Sequence, residues 1–275
     1  MKFVRFGAPG SERPGVLDDE GRIRSLAGVM DDVAGEALSR LGDINPSDLP
    51  VVEGDPRIGP CVGGVGKFIA IGLNFSDHAE EAGMEPPSEP IVFMKATSSI
   101  CGPNDGITIP RGSEKTDWEV ELGVVIGKTA KYLSADECLD CIAGFCIVND
   151  VSERAYQLER GGQWTKGKSC DSFGPVGPWL VTPDEVGNPQ NLDMELKVNG
   201  EVMQTGNTSK MIFEVGHILS YLSQMMTLHP GDIIATGTPP GVGMGMKPPQ
   251  FLAAGDVVEL SIDKLGTQRQ DVTAD

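Results

Sequence analysis

The stretch Asp117-Trp118-Glu119-Val120-Glu121-Leu122-Gly123 carries two carboxylates that folding alone does not require. It runs into Leu-Gly-Val-Val-Ile (residues 122–126), which has the length and composition of a strand. Side chains alternate between the two faces of a strand, so Glu119 and Glu121 point the same way. Like charges on one face repel, and burying them without a partner is costly. A hard cation between them would remove the repulsion, and a solvated strand face is the simple alternative for this pair.

A third carboxylate closes the next apolar run, residues 143–149, which ends in Asn-Asp with Asp150 as the acid. The run has strand composition, and a carboxylate at its end can complete a site on a rigid element. The following segment, residues 152–160, has the pattern of a helix on which Arg154 and Gln157 share one face. An ordinary helix cap is the alternative for Asp150 alone. Three acids on two neighbouring strands, followed by basic residues, favour a divalent-metal site.

The composition limits the classes of partner. The chain has 275 residues and a formal charge of −18, which argues against nucleic acid and anionic membrane surfaces. No apolar stretch approaches the ~18–20 residues that cross a bilayer. The charged start, Met1–Phe6, does not have the pattern of a secretory signal. We therefore expect a cytoplasmic protein with no membrane partner.

The six cysteines are expected to be free thiols, as in a reducing compartment. Cys138 and Cys141 have the spacing of half a zinc site, but no second pair follows at zinc-ribbon spacing. They fall just after Ser134-Ala135-Asp136-Glu137, which is a capping box that opens a helix. We therefore expect them to be ordinary helix residues.

The pattern divides the chain into a small N-terminal domain, residues 1–60, and a main domain, residues 65–275. The first contains short strands (2–6, 13–17 and 22–25) and a helix that begins near Ala34, and it ends in a segment rich in proline and glycine.

The main domain alternates strands with few helices. Residues 192–198 alternate and meet the hairpin signal Asn199-Gly200, residues 212–226 carry a helical apolar stripe, and residues 256–262 are expected to be the last strand. The 36 glycines and 20 prolines also suit a turn-rich β architecture. We predict an α+β fold rich in strands rather than a doubly wound parallel sheet.

Several motifs, in order along residues 65–265, resemble the fumarylacetoacetate hydrolase superfamily. They are Gly72–His78, Glu119–Gly123, Asp150, Lys166–Ser169, Met211–Phe213, Pro230–Ile234 and Thr236–Gly243. The resemblance implies a β-rich mixed sandwich or roll. Together with Gly161–Trp164, the match is most similar to members that act on 2,4-diketo-3-deoxy sugar acids, such as 2,4-didehydro-3-deoxy-L-rhamnonate hydrolases.

The resemblance implies that Glu119, Glu121 and Asp150 hold Mg²⁺, with Mn²⁺ or Ca²⁺ as alternatives. Three carboxylates leave three positions of an octahedron for water and a keto acid. The resemblance also implies that His78, oriented by Glu81 three residues later, activates water. A helix-surface histidine beside an acidic run is the simple alternative for that pair.

Four further roles follow from the resemblance. Lys168 would stabilise developing negative charge, with Lys166 as the nearby, more solvated alternative. Arg154, Gln157 and Thr238 would bind substrate. Asp171 resembles an acid of the sugar-acid members and is a secondary candidate for substrate binding. The segment Met84–Pro90 would be a lid, or else a stiff surface loop.

We therefore expect an enzyme that hydrolyses the C3–C4 bond of a 2,4-diketo acid to pyruvate and a second carboxylic acid. Alternatives at the same site are oxaloacetate decarboxylase, acylpyruvase, keto–enol isomerase or ureidoglycolate lyase activity. A non-catalytic acidic module that holds a structural ion is the alternative of another class. The resemblance further implies a homodimer.

Overall fold

The computed structural model describes residues 1–275, apart from the side chain of Ala82. Its strands, in chain order, are β1 (Lys2–Phe6), β2 (Arg13–Leu17), β3 (Ile23–Ser25), β4 (Phe68–Gly72), β5 (Ile91–Lys95), β6 (Ile100–Cys101), β7 (Ile107–Ile109), β8 (Thr116–Asp117), β9 (Val120–Ile126), β10 (Ile142–Asn149), β11 (Ser152–Glu153), β12 (Gly174–Val181), β13 (Asp193–Val198), β14 (Glu201–Asn207), β15 (Ile233–Ala235), β16 (Val257–Ile262) and β17 (Gly266–Ala274). The α-helices are α1 (Ser76–Ala82), α2 (Ala135–Leu139), α3 (Thr165–Lys168), α4 (Pro183–Val186) and α5 (Val215–Met225). The predicted α+β class, rich in strands, is confirmed.

Most strands belong to two sheets. The larger has the order β3-β2-β1-β12-β10-β9-β15-β4-β5, with β6 beside β12, and the smaller has the order β14-β13-β16-β17-β7. One buried cluster joins Leu122 of β9 to Leu196 of β13, Leu260 of β16 and Leu219 of α5, so the main core lies between the sheets and this helix. Strands β9 and β10, whose residues are almost all buried, form the centre of the larger sheet.

The N-terminal strands form as expected and extend the larger sheet. Strand β1 is antiparallel to β12, with Phe3 opposite Leu180. The side chain of Phe3 belongs to the same buried cluster as Phe68 and Val125. The expected helix near Ala34 is instead a 3₁₀ segment, Gly35–Asp43, with a kink at Arg40. The division into domains of residues 1–60 and 65–275 remains a proposal.

Two local predictions in the main domain are confirmed. Asn199 and Gly200 both have positive φ, at 54° and 81°, and join β13 to β14 as a tight hairpin. Ser134 and Glu137 form both hydrogen bonds of a capping box at the start of α2, and Cys138 and Cys141 are buried free thiols.

The prediction that residues 256–262 form the last strand is wrong, because β17 follows them. Strand β17 reads Gly-Thr-Gln-Arg-Gln-Asp-Val-Thr-Ala and buries glutamines where an apolar pattern was sought. The side-chain amide of Gln268 donates to the carbonyls of Ile147 and Gly177, both at 2.9 Å. Satisfied hydrogen bonds therefore replace apolar burial, and hydrophobic alternation does not detect such a strand. No helix in the described part of the chain has the length and apolar content of a membrane span.

Candidate active site

Two central strands bring the three predicted metal ligands together. Strands β9 and β10 are antiparallel with Val148 opposite Glu121, and the N–H of Asp150 donates to the carbonyl of Glu119 at 2.9 Å. Each of the three acids offers one carboxylate oxygen, and these oxygens lie within 4.8 Å of one another. The side chains are buried, with residue exposures of 6% for Glu119, 2% for Glu121 and 0% for Asp150. Three buried carboxylates this close require cations around them.

Two predicted basic residues supply part of that charge. The ammonium of Lys168, at the end of α3, donates to Glu119 at 2.7 Å and to Asp150 at 2.6 Å. The guanidinium of Arg154 donates to Glu119 at 2.6 Å. Burial opposes ionisation of Glu119, but the charges of Arg154 and Lys168 outweigh it and lower its pKa to about 2. The expected helix over residues 152–160 is instead the short strand β11 followed by a single π-helical turn, Ala155–Glu159.

Lys95 is a member of this cluster that the sequence pattern did not predict. It closes β5 and is 2% exposed, and its ammonium donates to Asp150 at 2.6 Å and to the carbonyl of Val151 at 3.2 Å. Burial lowers its pKa, although the charge of Asp150 opposes that shift. The one feature of the sequence that could have indicated a buried Lys95 is its position at the end of the apolar run Ile-Val-Phe-Met.

Asp117 is the second member of the cluster that the sequence pattern did not predict, although it opens the stretch 117–123 that contains Glu119 and Glu121. Its carboxylate accepts a hydrogen bond from the Nε of Arg154 at 2.8 Å. It also accepts the backbone N–H groups of Gly243 at 2.7 Å and Met244 at 3.0 Å. Asp117 therefore orients Arg154 and ties the glycine-rich loop after β15 to the acidic cluster.

The cluster is one positive charge short of balance and fits a divalent cation. If all of these groups are ionised, four buried carboxylates face three buried cationic groups and one negative charge is left over; the residues are Asp117, Glu119, Glu121 and Asp150 against Lys95, Arg154 and Lys168. Burial and the charges of Asp150 and Glu119 raise the pKa of Glu121 well above its usual value. Oxygen donors suit Mg²⁺, Mn²⁺ or Ca²⁺. A divalent ion would turn the surplus into one positive charge, which suits an anionic substrate.

A cavity of about 470 Å³ opens beside the acids and contains the predicted water-activating pair. His78 and Glu81, both on α1, line it, with the Nδ1 of His78 3.1 Å from a carboxylate oxygen of Glu81. The same carboxylate accepts the N–H of Gly241 at 3.1 Å, which fixes its position. Because Nδ1 faces the carboxylate, Nε2 is the nitrogen that can take a proton from water.

The predicted substrate-binding residues have different positions. Arg154 and Gln157 line the cavity, and the carbonyl oxygen of the Gln157 side chain accepts a hydrogen bond from Arg154 at 3.0 Å. Thr238 also lines the cavity, but its hydroxyl donates to the carbonyl of Val120 at 2.9 Å and accepts from the amide of Gln204 at 2.8 Å.

Two other candidates, Asp171 and Lys166, do not line the cavity. Asp171 is exposed and is not among the described residues that line this cavity. Lys166, the alternative to Lys168, is exposed and donates to the carbonyl of Arg160. The expected lid, residues 84–90, has neither helix nor strand, and Met84 lies at the rim of the cavity with an exposure of 55%. A lid function remains a proposal.

Known proteins share this architecture. The sequence model of the family described as "Fumarylacetoacetate (FAA) hydrolase C-terminal" matches residues 67–273. A protein of Burkholderia cenocepacia named "Putative hydrolase" is 62% identical over 276 residues, which are 98% of each chain. The structure of a fumarylacetoacetate hydrolase from Exiguobacterium antarcticum superposes with a TM-score of 0.90 at 36% identity and covers 100% of both chains. That of a 2-hydroxyhepta-2,4-diene-1,7-dioate isomerase from Mycobacterium marinum has a TM-score of 0.79 at 33% identity, over 100% of this chain and 98% of its own.

Proposed function

The chain belongs to the fumarylacetoacetate hydrolase family, and on that premise we propose that it is a Mg²⁺-dependent enzyme that hydrolyses the C3–C4 bond of a 2,4-diketo acid. The products are pyruvate and a second carboxylic acid. The observation that carries the proposal is that two acids of the buried triad, Glu119 and Glu121, line the same cavity as His78, whose Nδ1 faces the carboxylate of Glu81. An acid triad that only held a structural ion would need no such base.

The residues of the chain divide the reaction between them. Glu119, Glu121 and Asp150 would hold the metal, which when bound polarises the 2-oxo group and offsets the charge of the leaving enolate. His78 takes a proton from water through Nε2, and Glu81 stabilises the imidazolium that forms. The water oxygen bonds to C4, and the C3–C4 bond breaks with its electron pair left on C3.

The leaving group is the enolate of pyruvate, which becomes pyruvate when C3 takes up the proton that His78 removed from water. Lys168, already beside two of the acids, supplies positive charge for this enolate. Arg154 and Gln157 are proposed to bind the anionic end of the substrate. For Thr238 we propose that its backbone, rather than its engaged hydroxyl, faces the ligand, and Asp171 remains a proposal without a contact in the cavity.

Pyruvate release from a panel of 2,4-diketo acids tests the activity. The panel includes 2,4-diketo-3-deoxy sugar acids, which the motif resemblance favours, and alkanoyl and aroyl pyruvates. We expect Mg²⁺-dependent release of pyruvate and the matching acid in equal amounts, abolished by EDTA and restored by Mg²⁺. Release that persists in EDTA, or no release from any compound, would contradict the proposal.

Thermal unfolding with Mg²⁺ and oxalate separates the enzyme from a structural metal module. Oxalate mimics the enolate of pyruvate and needs open positions on the ion. We expect Mg²⁺ and oxalate together to raise the Tm more than the sum of their separate effects, because each stabilises the other's complex. A Tm increase with Mg²⁺ that oxalate leaves unchanged would instead indicate an ion closed off by protein ligands.

A cytoplasmic location, expected from the sequence pattern, and a homodimer, implied by the family resemblance, both remain proposals. A small keto acid is the only kind of partner that the proposed reaction requires.

A further inference from the structure

A large part of the wall of the active-site cavity is apolar. The apolar wall consists of side chains from the residue after β4, from β5, from the segment before α3 and from the loop after β15; they are Leu73, Ile91, Phe93, Trp164, Val242 and Met244. Phe93 and Trp164 meet edge to face with their ring centroids 5.3 Å apart. Such aromatic pairs prefer this geometry and hold each other in place.

The indole ring of Trp164 packs directly against Gly72 at the end of β4. A Cβ on Gly72 would lie 2.5 Å from the Trp164 ring, so only glycine lets this ring lie against β4. Trp164 directly precedes α3 and lies four residues before Lys168, which places both on one side of the helical turn. The ammonium of Lys168 is in turn 5.0 Å from the centroid of the Phe93 ring. The apolar wall therefore begins directly beside the group proposed to stabilise the enolate.

Several polar groups of the cavity are already engaged in hydrogen bonds within the protein. The hydroxyl of Thr238 is bonded to Val120 and Gln204, and the amide oxygen of Gln157 accepts from Arg154. The carboxylate of Glu81 accepts the N–H of Gly241 and faces His78. Among the residues that the structure describes along the apolar wall, no hydroxyl, amide or charged side chain is available to a row of substrate hydroxyls.

We propose that the C4 carbonyl of the substrate carries an apolar alkyl or aryl group, and that the second product is therefore an apolar carboxylic acid. The inference rests on the proposed hydrolysis for its reaction and on the apolar wall for its specificity. Each methylene buried against the wall favours binding by about fourfold. A hydroxyl there would lose its hydration without gaining a partner, so sugar acids are the disfavoured class.

A matched pair of substrates tests the reaction. We expect the compound with a pentyl tail, 2,4-dioxononanoate, to be hydrolysed with a kcat/KM about 100-fold or more above that for a diketo-deoxy sugar acid. A sugar acid that is cleaved faster overturns the apolar tail and leaves the hydrolysis standing. If neither compound releases pyruvate, the proposed hydrolysis fails, and the specificity is then decided by binding.

Binding of unreactive oxamates, measured by calorimetry in Mg²⁺, decides the specificity independently of catalysis. N-hexyl oxamate is expected to bind about 100-fold more tightly than the oxamate of glucamine, which has the same chain length with five hydroxyls. Trp164→Ala should weaken the hexyl compound about tenfold and change the glucamine compound little, while Trp164→Phe should retain most of the preference. Met225→Ala, which removes a half-exposed apolar side chain on α5, is the control and should change neither. Equal affinity for the two oxamates, or a preference that survives Trp164→Ala, would overturn the inference.

Discussion

Replacement of His78 by alanine is expected to lower kcat for diketo acid hydrolysis by about 10²–10⁴-fold. This range is the usual contribution of a positioned general base. The imidazole is the one side chain of the described cavity lining that combines a free ring nitrogen with a carboxylate at the other. Glu81→Gln should cost less, about tenfold, because glutamine still offers an oxygen to the N–H of Gly241 but no negative charge to the imidazolium. Pyruvate release under saturating substrate measures both effects.

Two controls show that the loss concerns the activation of water. Oxalate with Mg²⁺ should stabilise the His78→Ala variant as much as the unchanged protein, because the acids and Lys168 are untouched. Decarboxylation of oxaloacetate, if the site supports it, should survive, since that reaction needs an enolate but no attacking water. Hydrolysis at an unchanged rate in the His78→Ala variant would show that the proposed mechanism is wrong.

The acidic centre shows what a strand pattern can and cannot predict. Alternation from Glu119 into β9 was enough to place Glu119 and Glu121 on one face, because the side-chain period of extended backbone does not depend on the rest of the fold. Asp150 could be predicted as their neighbour because it ends the next long apolar run. The burial of Lys95 depends on β5 lying at the far end of the sheet order β9-β15-β4-β5, beside α3, and no local pattern carries that pairing.

The predictions for the segments that form strand β17 and the π-helical turn were wrong for a related reason. The buried Gln268 of β17 is stabilised by carbonyls of β10 and β12, which lie 121 and 91 residues away along the chain. The π-helical turn after β11 lies directly against Gly167, since a Cβ on Gly167 would lie 2.4 Å from the backbone nitrogen of Gln157. Both segments make contacts with residues outside their own local pattern, and sequence periodicity does not contain those contacts.

Neutralising Glu121 and neutralising Asp150 are expected to have the same effect on activity and opposite consequences for the fold. Glu121→Gln and Asp150→Asn each remove one metal ligand, and we expect both to lower kcat by about 10³-fold or more, because a Lewis acid contributes several kcal/mol to such reactions. Calorimetry should show Mg²⁺ affinity reduced in both. Retained Mg²⁺ affinity in either variant would remove that residue from the proposed ligand set.

The metal-free proteins should then differ in stability. Asp150 accepts the ammonium groups of Lys95 and Lys168, both buried, at 2.6 Å each. Asp150→Asn leaves Lys95 without its anion and Lys168 with Glu119 alone, and we expect it to lower the free energy of unfolding by about 3–5 kcal/mol, as for other broken buried pairs.

The surroundings of Glu121 differ from those of Asp150. Its carboxylate accepts a hydrogen bond from the neutral N–H of Gly237 at 2.8 Å, and its charged neighbours include the carboxylates of Asp150 and Glu119. A neutral amide keeps an acceptor for that N–H and relieves the repulsion, so Glu121→Gln should leave the metal-free protein as stable as before or more stable. Urea unfolding in EDTA measures both variants. If Glu121→Gln loses several kcal/mol of unfolding free energy, the Glu121 carboxylate stabilises the fold itself. If the variant instead gains stability and loses activity, the carboxylate serves to bind the metal ion.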